Sequence, residues 1–183
     1  MKNKIQLILC AAALSVTASL NAQVLLPEND TRELVVVEEN ITEDTTWTND
    51  VSWAFSRPIF VEPGATLTIE PGTIIYGFQD FTTGSYGSLV VARGAKIMAE
   101  GLPHAPIQFT ALAERTFGRD LRLDENQLWG GVVVLGNAVL NDEGNIYLDP
   151  GNTENPPTRT IEGFPPAPGQ EALTLYGGTD DED

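Results

Sequence analysis

The chain has 183 residues, with 10 lysines and arginines against 26 aspartates and glutamates and a formal charge of −16. Such a surface repels nucleic acid and anionic lipid and disfavours any phosphate-binding role. Beyond an N-terminal leader there is chain enough for one domain, which at that size buries roughly 70% of the surface of the unfolded polypeptide.

Residues 1–22 read as a secretory signal peptide. Lys2 and Lys4 give a basic start, Ile5 to Leu20 is largely apolar, and Ser19-Leu20-Asn21-Ala22 ends in the small residue that a signal peptidase needs. The expected cut lies between Ala22 and Gln23, leaving a secreted protein, extracellular or on the outer cell surface. The apolar run is too short and, with Ser15, Thr17 and Ser19, too polar for a membrane span, so no transmembrane span is expected. Cys10 follows Leu9 early in that run, where a lipidated cysteine would want a small residue before it. The only cysteine leaves with the leader, so no disulfide staples what remains.

Residues 23–58 form a lead-in and N-terminal cap. Leu34-Val35-Val36-Val37, between Glu33 and Glu38-Glu39, reads as one strand that begins or covers a first coil. Trp47, Trp53 and Phe55 are large enough to plug the open end of a solenoid, whose terminal repeats must be closed off. An aromatic platform for sugar is the functional alternative for the two tryptophans.

From Ile59 to Asp183 the chain reads as stacked coils. Glu62-Pro63-Gly64 and Glu70-Pro71-Gly72 bracket the alternating strand Ala65-Thr66-Leu67-Thr68-Ile69. Pro suits the second position of a type II turn and Gly supplies the positive φ of the third. Ala65, Leu67 and Ile69 share one face, with Thr66, Thr68 and Glu70 on the other. The template returns as Arg93-Gly94-Ala95-Lys96-Ile97-Met98-Ala99-Glu100-Gly101, so equivalent side chains stack in rows. Lys96 and Arg93 then face outward and pair with acids of adjacent coils, and a loop covers Met98. Trp129-Gly130-Gly131-Val132-Val133-Val134-Leu135-Gly136 opens a third, looser copy, with Gly136 matching Gly94. Long loops are expected at 113–128, where Gly118 weakens a short helix, and at 141–172, rich in Pro, Gly and Asn. Leu173-Thr174-Leu175-Tyr176 reads as the start of another strand. Either the acidic tail charges that exposed edge, or the chain is the truncated front of a longer protein.

Taken together, Glu-Pro-Gly-Ala-Thr-Leu-Thr-Ile-Glu-Pro-Gly-Thr, Val-Ala-Arg-Gly-Ala-Lys-Ile-Met-Ala-Glu-Gly, Trp-Gly-Gly-Val-Val-Val-Leu-Gly-Asn-Ala and Ile161-Glu162-Gly163 carry a resemblance. The chain resembles the N-terminal region of large secreted or surface bacterial parallel β-helix proteins, many exported by type IX secretion. The resemblance spans Ile41 to Asp183 and implies an all-β fold, a right-handed parallel β-helix or solenoid. It carries over no catalytic residue.

The chemistry is sparse. A calcium-dependent lyase needs clustered carboxylates; the nearest approaches are Asp142, Glu143 and Asp149, or Asp180, Asp181 and Asp183 in the tail. Neither group has the spacing of a calcium loop, and such runs are ordinary turn composition, so no cofactor is expected, with calcium at these carboxylates as the alternative. His104 is the sole histidine and makes no metal site alone. The expectation is a non-catalytic secreted or cell-surface module with a structural or adhesive role and no catalytic residues. The alternative is a carbohydrate-active module, lyase-like or binding extracellular glycan through Trp47, Trp53 and Tyr86.

Overall fold

The computed structural model describes residues 30–122, 124–138, 140, 158–164 and 168–178. In chain order the strands are β1 (Leu34–Val36), β2 (Thr45–Trp47), β3 (Ser52–Phe55), β4 (Pro58–Val61), β5 (Thr66–Ile69), β6 (Ile74–Gly77), β7 (Gln79–Asp80) and β8 (Ser85–Tyr86). They continue with β9 (Ser88–Val91), β10 (Lys96–Met98), β11 (Gln108–Ala111), β12 (Gly131–Val134), β13 (Arg159–Thr160) and β14 (Leu175–Tyr176). Helix α1 spans Leu112–Phe117.

Three sheets are visited in turn. The first holds β1, β3, β6 and β11, the second β4, β9 and β12, and the third β2, β5 and β10. All pairs within these sheets are parallel. The expected register holds between the two repeats: Thr66 faces Lys96, Leu67 faces Ile97 and Thr68 faces Met98. Between β12 and β9, Val134 faces Val91, one residue off the register that matching Gly136 to Gly94 implies. Strands β1 to β3 take part in the same sheets, so the lead-in is built into the coils from Leu34 onward.

Local chemistry explains the corners. Gly64, Gly72 and Gly94 have φ of 92°, 83° and 76°, and the turns close by bonds from Ala65 N–H to Glu62 and Ala95 N–H to Ala92. Gly64 N–H then donates to the Gly94 carbonyl at 2.8 Å, stapling one corner onto the next.

Inside, apolar rows run from coil to coil. Ile41, Trp47, Phe55, Ile59, Val61, Ala65, Leu67, Ile69, Ile75, Leu89 and Val91 form one buried cluster. Ala95 and Ile97 are only half-buried and Ala99 is exposed, because β10 is an edge strand among the described residues. Met98 stays 48% exposed on the same edge, with no loop over it among the described residues.

Two of the sheets are also covered outside. On the second sheet Phe60 and Val90 pack beneath Leu173, Ile161, Phe164 and Tyr176. The stretch expected to start another strand does so only at its end: Glu171–Thr174 is a 3-10 turn, and Leu175–Tyr176 forms β14, which pairs antiparallel with β13. Burial of Leu173 against the outer face of the sheet anchors it there.

On the first sheet, Ala54, Ile74 and Tyr76 pack against Leu34, Phe78 and Leu112. Beside them Asp30 sits with a side chain 1% exposed. Arg32 Nε donates to it at 2.7 Å, the Tyr76 hydroxyl at 3.0 Å and Arg115 Nη1 at 3.1 Å, with Ser52 Oγ as a further donor. Arg115 lies on α1, the helix terminated by Gly118 at φ 61°, and also donates to the Arg32 carbonyl. Burial acts to raise the Asp30 pKa, but the hydrogen bonds from Arg32 and Ser52 outweigh it and hold the carboxyl below its ordinary value. Burial, then the Asp30 charge, push the Tyr76 phenol upward.

Candidate functional site

Among the described residues, the corner between the first and second sheets is where the coils differ most. It is crossed by residues 56–57, then by 78–87, then by 112–130. The second crossing carries the β7–β8 hairpin and the third carries α1 and the loop after it. Together with the 163–164 turn they enclose a cleft of about 680 Å³. Its walls bring together Tyr86, Trp129 and Phe164 with Thr83, Ser85 and Gln127.

Each wall is held by local bonds. Asp80 accepts from the Thr82 N–H and the Thr83 hydroxyl, both at 2.8 Å, and these bonds lower its pKa. Gly84 N–H donates back to the Asp80 carbonyl at 2.7 Å, which fixes the hairpin tip that leads into Tyr86. Across the cleft, Arg119 clasps Glu125 through two bonds of 2.8 and 2.6 Å, and the Arg122 N–H adds a third. Those bonds take the Glu125 pKa down to about 2, so the loop keeps its clasp across neutral and mildly acidic pH. Gln127 follows with φ 57°, the one positive φ outside glycine among the described residues.

Trp129 owes its place to a glycine. A Cβ on Gly77 would lie 2.4 Å from Trp129 Cε3 and 2.7 Å from its Cβ. The indole therefore occupies space that any other residue at position 77 would claim. Gly77→Ala is expected to displace Trp129, lowering stability by about 1–3 kcal/mol and weakening whatever binds the cleft. Indole fluorescence and melting temperature check both effects on one sample.

Of the aromatic residues singled out as a sugar platform, the structure brings only Tyr86 to this cleft, where it is 37% exposed. Trp47 is 1% exposed and stacks on Trp53 with ring centroids 5.3 Å apart and 12° between planes. Trp53 is half-buried and donates from Nε1 to the Thr48 carbonyl at 3.0 Å. Neither lines the cleft. Sequence reasoning passed over Trp129, Phe164 and Gln127. The signal was there for Trp129, a tryptophan beside two glycines, and absent for Gln127, whose backbone alone marks it.

The acidic candidates Asp142, Glu143, Asp149, Asp180, Asp181 and Asp183 lie outside the described residues. Among the described residues no group of three or more His, Cys, Asp or Glu side chains could hold a metal ion. His104 is exposed in a turn. Arg93, expected to pair with an acid, donates to the Gly177 carbonyl and makes no ion pair among the described residues. A larger recess, about 920 Å³, lies between β12 and the β13–β14 pair, where aliphatic side chains such as Val133, Leu135 and Ile161 are joined by Arg159, Glu162 and Tyr176. The smaller cleft is set apart by its three aromatic faces beside an amide and hydroxyls.

Parallel strands that cycle through three sheets define a parallel β-helix, here with an aromatic cleft at one corner. The chain belongs to the family of pectate-lyase like beta helix domains, which it matches over residues 39–183. No curated protein and no solved structure matches it. No helix among the described residues is long and apolar enough to cross a membrane.

Proposed function

We propose that the chain is a secreted, surface-associated β-helix module with an adhesive role, holding extracellular carbohydrate in the Tyr86–Trp129–Phe164 cleft without cleaving it. The observation that carries this reading is the cleft itself. Aromatic faces stack on the apolar faces of sugar rings, and uncharged polar groups at their edges meet the ring hydroxyls. The name of the family raises polysaccharide cleavage as the competing reading. Cleavage calls for a positioned acid and base, and no carboxylate, lysine or arginine is among the described residues lining the cleft. The basic start and apolar run of residues 1–22 support export. A right-handed winding, the hand of about 98% of parallel crossovers, completes the picture.

The test is retention on immobilised polysaccharides, with the full chain and with Tyr86→Ala. The wild type is expected to be retained and Tyr86→Ala to lose about tenfold in affinity, the share of one stacked ring. Release of soluble sugar by the wild type, abolished by a single carboxylate substitution, would replace this reading with an enzymatic one.

A further inference from the structure

We infer that this cleft selects uncharged pyranose rings over uronates, and that Gln127 reads their hydroxyls. The inference rests on the carbohydrate reading of the cleft and adds the class of sugar. Three observations converge. The polar lining side chains, Thr83, Ser85 and Gln127 among them, are all neutral, and no lysine or arginine joins them among the described residues. A sugar carboxylate entering the cleft would lose water without gaining a cation, which leaves a charge desolvated and unpaired. The chain as a whole carries −16, so a polyanionic glycan is repelled before it arrives.

The third observation is Gln127. Its φ of 57° is a left-handed conformation that glycine, asparagine and aspartate adopt readily and glutamine does not. The loop is held in place by the Arg119–Glu125 clasp just upstream. Residues kept in such conformations concentrate at binding sites, where the neighbouring structure sustains the strain. A glycine would relieve it, so the side chain is what the position retains. A carboxamide offers two donors and an acceptor side by side, a set that complements vicinal hydroxyls, each of which both donates and accepts.

The experiment is calorimetric titration of the full chain with neutral hexasaccharides of glucose and of mannose and with hexagalacturonate, at low salt and at about 0.5 M salt. At the higher salt the Debye length is about 4 Å and long-range repulsion is gone. The expected result is binding of at least one neutral probe, with hexagalacturonate at least tenfold weaker at both salts. Gln127→Gly is expected to lose about tenfold for the neutral probe while its melting temperature holds or rises. Hexagalacturonate binding as tightly as the neutral sugars at high salt overturns the selectivity and leaves the carbohydrate reading standing. Unchanged neutral-sugar affinity in Gln127→Gly overturns the role of that residue. Silence of every probe with the wild type overturns the carbohydrate reading and this inference with it.

Discussion

Replacing Asp30 with alanine is expected to cost about 3–5 kcal/mol of stability, the range for breaking a buried ion pair from one side. Arg32 and Arg115 would then face one another across the vacated position, each less than a quarter exposed and without its carboxylate. The Ser52 and Tyr76 hydroxyls would lose the same acceptor. Because Asp30 joins the start of the described chain to sheet strands β3 and β6 and to α1, the loss is expected to loosen the helix as well. Chemical denaturation of wild type and variant measures the difference. A change under 1 kcal/mol would show that the cluster is an exposed-type network of little consequence. The pH dependence follows from the direction of the Asp30 shift. A carboxyl with a folded pKa below its unfolded value stabilises above the unfolded value, about 3.9. That contribution disappears as pH falls through the folded pKa. The wild type should therefore lose stability below about pH 4 in a step that Asp30→Ala lacks.

Trp47→Ala should be nearly as damaging, at about 3–5 kcal/mol, which corresponds to a fall in melting temperature of order 10 °C. The indole belongs to the buried cluster that includes Ile41, Leu67 and Ile69, stacks on Trp53 and lies tilted by 32° to Phe55, with centroids 6.3 Å apart. Removing it opens a void at the first coil that its rigid neighbours cannot fill. Below the melting point, carbohydrate affinity should match wild type, because Trp47 is not among the residues that line the cleft. The reverse outcome, a normal melting temperature with sugar binding gone, would restore the platform reading of the two tryptophans.

What could be read from the amino acids was what their neighbours in sequence determine. Glu-Pro-Gly turns announce themselves because proline and glycine restrict φ residue by residue, and the period-two strand between them follows. Residues Thr66 to Ile69 therefore came out with the right inward and outward faces. Associations across long separations were opaque. Asp30 and Arg115 are 85 positions apart, and nothing near either marks the pairing. Leu173 through Tyr176 has the composition of a strand, yet it folds back as a turn and an antiparallel pair. Ile161, Phe164, Leu173 and Tyr176 are scattered through a Pro- and Gly-rich stretch, so their common role as anchors on the outside of the second sheet shows only in three dimensions. The cleft was hidden for the same reason, since its walls come from three separate excursions of the chain.

The corners of the coil are unequal partners in variation. Residues 62–65 and 92–95 cross from the second sheet to the third with matching turns, locked together by the Gly64–Gly94 bond. One added residue there would throw every later rung out of phase. The opposite corner, which widens from 56–57 to 112–130, absorbs extra chain while Ala111 and Gly131 still find their partners in β6 and β9. Related proteins could thus swap whole recognition surfaces at that edge, by insertion or deletion, and leave the spool that carries them untouched.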